Sequence, residues 1–311
     1  MKYIGLRFLL LTSILTITLN ACRPKVDEPD ITNCLITKLD NLELNSDASR
    51  SGSNDAFIPT STVFEYDNND RPVRFSYFKN GKLDSYDQLT YATDGTLLGG
   101  VTFNESGNEI GTVVYSYDNN KRISLYEKFN SQDNAGEVRG FTYSSTGSIT
   151  NAISIQLSDN FNGGFSVEGF AYRYSYDEKG NITNRFSKYL TRSTTTADEA
   201  FFIRLISDLN VQREFLNVEF SDYDDRFNPY RSEPNLAAVF DEFPSFNNAR
   251  KSVWRYVDSG EKYADITYDY QYNRRGFPFL YTVQVKYTAE YIKQYEAEDF
   301  IQTSSLEYEC K

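Results

Sequence analysis

Histidine is absent from this chain of 311 residues, and methionine and tryptophan occur once each. Without histidine the commonest general base and metal ligand is missing. A Ser-His or Cys-His nucleophile pair is therefore excluded, and a zinc centre is disfavoured. No glycine-rich loop of phosphate-binding form follows a strand-like segment, so nothing points to a nucleotide. Long apolar runs are lacking too. The run that reaches Leu19 falls short of the ~20 residues a membrane-spanning helix needs, and Thr12, Ser13, Thr16 and Thr18 interrupt it. Positive charge is outnumbered, with 32 Lys and Arg against 44 Asp and Glu. Such acidity disfavours nucleic acid and direct attraction to anionic lipid. Its plainest use is solubility outside the cytoplasm.

What is present starts at the N-terminus. Lys2 and Arg7 precede the apolar run, and Leu19-Asn20-Ala21-Cys22 closes it. A basic start, an apolar middle and a small residue before the cut mark a secretory signal. The cysteine directly after the cut resembles that of bacterial lipoprotein signals, where it carries the lipids. Residues 1–21 are thus expected to be a signal peptide and Cys22 a lipidated N-terminus. Residues 22–33, charged and Pro-containing, read as an extended tether. Only two further cysteines exist, Cys34 and Cys310, and they flank nearly the whole remaining domain, 34–311. Export permits a disulfide between them, fastening the first strand to the last. Two buried thiols are the alternative.

Aromatic residues are abundant, with 25 Tyr and 23 Phe. They sit in a repeating unit: a strand ending in an aromatic, a polar turn, then another strand. Tyr66-Asp67-Asn68-Asn69-Asp70-Arg71, Tyr117-Asp118-Asn119-Asn120-Lys121-Arg122 and Tyr176-Asp177-Glu178-Lys179-Gly180-Asn181 are three copies. Asp or Asn after the aromatic bonds nearby backbone and starts a turn. Gly, or Asn in one copy, takes the place where positive φ is wanted. The flanks alternate: Phe170, Tyr172, Tyr174 and Tyr176 share one face, as do Ile266, Tyr268, Tyr270 and Tyr272. Period two over such lengths predicts half-buried strands, and turn-linked neighbours pair antiparallel. The expected fold is mainly all-β: an antiparallel meander in a single twisted, curled sheet, with one or two helices covering a face. Thr196 and Glu199 form a capping box before Phe201, Phe202, Leu205 and Ile206, which predicts a helix over 196–211. Pro234 and the apolar residues after it predict another over 234–241. The Ser/Asp-rich stretch 47–55 reads as a loop.

The Tyr-Asp units resemble YD repeats, the strand units of RHS-type proteins. The domain as a whole resembles a family of Bacteroidota lipoproteins built from degenerate YD-like strands. Three segments carry that likeness: Cys34-Leu35-Ile36-Thr37-Lys38, Tyr223-Asp224-Asp225-Arg226-Phe227-Asn228-Pro229, and Tyr270-Gln271-Tyr272-Asn273-Arg274-Arg275-Gly276-Phe277-Pro278. Their order over residues 34–310 matters more than any one of them. The family brings no established activity with it. The irregular spacing of the repeats does not imply a closed shell of the RHS kind.

For chemistry the candidates are few. Asp222, Asp224, Asp225 and Asn228 could offer oxygens to calcium, but the spacing lacks the glycine and distal glutamate of an EF-hand. A solvated turn is the plainer reading, and neither a metal nor a cofactor is expected. A carboxylate pair for glycoside hydrolysis has no local signature. Tyr172, Tyr174, Trp254, Tyr268 and Tyr270 are the candidate ligand contacts, because aromatic rows offer large contact area with a polar handle. Core packing is the plainer role for them as well. The expectation is a non-catalytic binding or scaffolding lipoprotein of the cell envelope, most simply at the outer membrane. It would be held by the lipid on Cys22 and recognise a glycan, a peptide or another envelope protein. A lipid-anchored glycoside hydrolase is the alternative.

Overall fold

The computed structural model describes residues 34–42, 61–131, 136–160, 164–195, 197, 199–207, 216–228 and 245–310. The expected signal peptide, Cys22, the tether, the loop 47–55, Thr196 and the helix over 234–241 lie outside the described residues. Among the described residues sixteen strands follow one another, all pairing antiparallel with their neighbours. They are β1 (Cys34–Leu42), β2 (Ser61–Tyr66), β3 (Pro72–Lys79), β4 (Lys82–Tyr91), β5 (Leu97–Asn104), β6 (Glu109–Tyr117), β7 (Ile123–Asn130) and β8 (Gly136–Tyr143). They continue with β9 (Ile149–Asn160), β10 (Gly164–Tyr176), β11 (Ile182–Thr194), β12 (Leu216–Phe227), β13 (Asn247–Tyr256), β14 (Lys262–Tyr272), β15 (Pro278–Tyr287) and β16 (Phe300–Cys310). Helix α1 (Glu199–Ser207) lies between β11 and β12, and α2 (Ala289–Tyr295) between β15 and β16.

The meander is as expected, but the single open sheet is not. β16 pairs with β1 from Cys310 opposite Cys34 to Thr303 opposite Leu42, and the sheet closes into a barrel. An open meander of this length would leave two edges of unpaired N–H and C=O groups; closure removes both. The Cys34–Cys310 disulfide fastens the seam, its two Cα atoms 4.0 Å apart.

The repeating unit explains how one hairpin is set on the next. In seven turns, beginning at residues 67, 92, 104, 118, 144, 177 and 273, the first residue donates its N–H to the carbonyl of the fifth, and the N–H of the fourth returns to the carbonyl of the first. The fourth residue has positive φ. It is glycine in five turns, but Asp70 and Lys121 in the other two rather than asparagine. This is a type I turn closed by a bulge residue in the left-handed region. The carboxylate of Asp67 accepts the N–H groups of Asn69 and Arg71 and is clamped by the Arg71 guanidinium. Those bonds hold its pKa at about 2. Asp118 repeats the arrangement with Asn120 and Arg122.

The aromatic before the turn also has a job. Tyr66, Tyr91, Tyr117, Tyr143, Tyr176, Tyr223 and Tyr308, each at or near the end of an even-numbered strand, donate their hydroxyls to the carbonyls of Ile36, Pro72, Leu97, Ile123, Ile149, Ile182 and Pro278. Those acceptors lie at the start of the odd-numbered strand before. The tyrosines thus lock one end of the barrel. Tyr272 departs from the rule and donates to the Asp224 carboxylate. Removing one such hydroxyl, as in Tyr143→Phe, orphans a strand-end carbonyl and should cost about 1 kcal/mol. Chemical denaturation of the variant measures this; no loss would mean the bond is exchanged freely for water.

Alternation divides the wall into two faces. One carries Phe64, Phe75, Leu89, Val113, Tyr115, Phe141, Ala152, Tyr174 and Leu306 in a single cluster running round most of the barrel. No described helix packs over that cluster, so it is buried by the curvature of the wall and faces inward. The other face is the outside. Over β12–β16 it reads mainly Glu219, Lys251, Arg255, Asp265, Thr267, Asp269, Gln284 and Lys286, with the half-buried Val253 and Leu280 and the exposed Ile301 among its apolar members. Arg255 pairs with Glu219 at 3.1 Å across this outer surface.

Helix α1 covers an apolar part of the outside. Phe202, Leu205 and Ile206 pack on Leu125, Val138, Ile153, Ile155, Leu157, Val167 and Leu190. The contact is so close that a Cβ on Gly140 would sit 2.3 Å from Ile206 Cδ1. This helix falls inside the expected span. Helix α2 was not foreseen; Thr288 caps it, its hydroxyl accepting the Tyr291 N–H.

Candidate functional site

Register places all five candidate aromatics on or beside the inner face. Tyr172 stands opposite Ala152 and Ser187, and Tyr174 opposite Arg185. Trp254 stands between Val218 and Ala264, Tyr268 opposite Val283, and Tyr270 opposite Tyr281. They form two rows rather than one site, because β10 and β14 are four strands apart in the barrel order. Tyr174 is buried, and the other four are half-buried.

The first row runs along β10. Phe170 stacks on Tyr172 at 6.2 Å between ring centroids and meets Tyr189 of β11 edge-on at 5.5 Å. Tyr172 continues to Tyr174 at 6.3 Å. Phe170 and Tyr189, which sequence reasoning did not select, are the exposed members, at 39% and 46%. β9–β12 are the longest strands of the barrel, and this row faces inward and runs from the middle of β10 and β11, at Phe170 and Tyr189, towards the tyrosine-locked end.

The second row runs along β14, Tyr268 to Tyr270 at 6.5 Å and Tyr270 to Tyr272 at 6.2 Å. Towards the end away from the tyrosine lock it merges with a denser aromatic stack under α2. Tyr263 contacts Trp254 at 5.7 Å, Tyr256 at 4.9 Å and Tyr291 at 5.1 Å. Desolvation pushes the Tyr256 hydroxyl up to about 12, and Tyr263 is raised further by the same cause. These phenols stay protonated donors at neutral pH.

A third inner feature went unread in the sequence. Asp87 is buried, and its carboxylate accepts from Tyr77 and Thr102 at 2.6 Å each and from the Lys128 ammonium at 2.9 Å to both oxygens. Arg139 and Glu137 pair beside Tyr126, within reach of the same ring set. Burial, with the Asp87 charge behind it, raises Tyr77, Tyr115 and Tyr126 well above the usual phenol value. The signal was available: Asp87 shares the parity of Leu89 and Tyr91, so a carboxylate lay on a face otherwise apolar. With four contacts already made, Asp87 is poorly placed to serve as an acid or base and is well placed to pin β3–β7 in register.

The acidic cluster does not converge. Asp222 is taken by Lys251 at 2.9 Å, Asp225 by Arg226, and Asp224 by Tyr272 and Asn248. Among the described residues no group of three or more acidic or cysteine side chains is placed to hold a metal ion.

No family model matches the sequence, and no curated protein matches it. The likeness to YD repeats therefore rests on the residues alone. Among solved structures, the chain is similar to a porin-like protein from Bacteroides uniformis, with 11% identity over 89% of this chain and 97% of that one and a TM-score of 0.48. It is also similar to a porin-like protein from Bacteroides vulgatus, with 10% identity over 88% and 98% and a TM-score of 0.30. Superpositions this loose and identities this low carry neither fold nor function across.

Proposed function

We propose that this chain is a non-catalytic lipoprotein of the cell envelope, held by lipid on Cys22, whose barrel stands in water and binds a ligand on its aromatic inner face. The distribution of residues over the wall carries this reading. A membrane-spanning barrel turns an apolar band about 25 Å tall outward and lines its lumen with polar residues. Over β12–β16 the order is reversed, with mainly charged, hydroxyl and amide side chains outside and tyrosines inside. A lipid anchor then supplies the attachment that such a wall does not. Barrel interiors and their mouths commonly hold ligands among apolar rings and a few polar groups. Two buried or half-buried carboxylates of the inner wall, Asp87 and Glu137, are each engaged with a cation, which leaves them poorly placed as a hydrolytic pair.

The test replaces residues 1–21 with a cleavable non-lipoprotein signal and introduces Cys22→Ser. The exported protein should move from the membrane to the soluble fraction with its fold intact. Retention in the membrane without lipid would show that the barrel itself is embedded.

A further inference from the structure

We infer that the inner wall of β9–β11 is a carbohydrate-binding platform centred on Phe170 and Tyr189. This rests on the binding reading above and adds to it a place and a ligand class. Single exposed apolar residues need no explanation, whereas adjoining exposed rings can mark a contact site, and these two are exposed at 39% and 46% while touching each other. Their surroundings are polar and of mixed charge: Arg185 lies over the neighbouring Tyr172 ring, 5.5 Å from its centroid, and Glu168 stands on the other side. Register puts Phe170 between Ser154 and Tyr189, and one rung outward puts Glu168 between Gln156 and Thr191. Glu168, Gln156 and Thr191 are all exposed, and Glu168 lies 3.5 Å from the Tyr189 hydroxyl.

That combination selects among ligand classes. An extended peptide adding itself as a strand binds along an edge, whereas Phe170 and Tyr189 lie on one sheet face and Phe170 sits on β10, which is paired along both sides; on β11 the pairing with β12 spans Asn184–Ser187. An apolar helix needs an apolar groove, whereas the rings here alternate with hydrogen-bonding side chains. An anion is disfavoured by Glu168. A sugar ring presents a C–H face and a rim of hydroxyls. The first stacks on Phe170 or Tyr189, and the second meets Gln156, Glu168 and Thr191, which offer both donors and acceptors.

The experiment is titration calorimetry of the full-length lipidated protein in detergent. The probes are cellohexaose, maltohexaose, xylohexaose and mannohexaose, with hexagalacturonate as the anionic comparison. Binding of at least one neutral hexasaccharide is expected. Phe170→Ala and Tyr189→Ala should each weaken it tenfold or more, and Phe170→Trp should retain it. Ile301→Ala, on the outer wall, should change nothing. Melting temperatures close to wild type would show that the losses are local. Three results overturn the inference. Sugar binding that survives both alanine variants but fails in Trp254→Ala moves the site to the α2 side and leaves the binding reading standing. Binding of hexagalacturonate alone makes the ligand class wrong. Binding of none of the five removes the platform, while the lipid-anchor test still judges the wider reading independently.

Discussion

Asp87→Ala should destabilise the barrel by about 3–5 kcal/mol, because it leaves a lysine, a phenol and a threonine without their shared acceptor in a buried setting. The carboxylate side chain is 2% exposed, and Lys128 reaches it from β7 across the inner wall. Lys128→Met alone should cost less, since Tyr77 and Thr102 still neutralise part of the carboxylate's need. The double replacement Asp87→Leu with Lys128→Met should recover much of the loss, as expected for a buried pair whose desolvation opposes its attraction. Equilibrium denaturation of the three variants measures all of this. A cost below about 1 kcal/mol for Asp87→Ala would mean that water reaches the site and that the network does not hold β3–β7 in register.

Opening the seam should rival that effect. The disulfide spans 276 residues of sequence, and the chain-entropy account assigns about 5 kcal/mol to a loop of that size, with real bridges often delivering less. Cys310→Ser should therefore lower the melting temperature sharply. It should also raise amide exchange first in β1 and β16, where two sheet edges become free to fray or to pair with other molecules. Unchanged melting after reduction, with β1 and β16 still protected, would show that backbone pairing alone closes the barrel.

Local chemistry made the turns legible. The Tyr-Asp units at 66, 117 and 176 announce themselves because an aspartate bonds nearby backbone N–H groups whatever the rest of the molecule does. Helix α1 was readable from Phe202, Leu205 and Ile206 at helical spacing; α2 was not, because it is only seven residues long and buries none of them. Closure was not legible, because alternation shows that a strand has two faces but not what lies beyond its edge. Cys34 and Cys310 were the one hint that β1 and β16 meet. Parity put Tyr172 and Tyr174 on one face of their strand and Tyr268 and Tyr270 on one face of theirs, but it took the register to bring both rows and Trp254 to the same side, and parity could not grade their exposure. The rings that water reaches, Phe170 and Tyr189, are set by where long strands outrun their neighbours.

The central claim is that the charged face is outside and meets water. Spin labels at Asp269→Cys, Gln284→Cys and Thr303→Cys, on three neighbouring strands of the outer wall, test it in the lipidated protein on vesicles. A water-soluble nickel relaxant should reach all three labels, and oxygen should show no preference for any of them. A band in which oxygen relaxes the labels and nickel does not would place that wall in hydrocarbon and contradict the account.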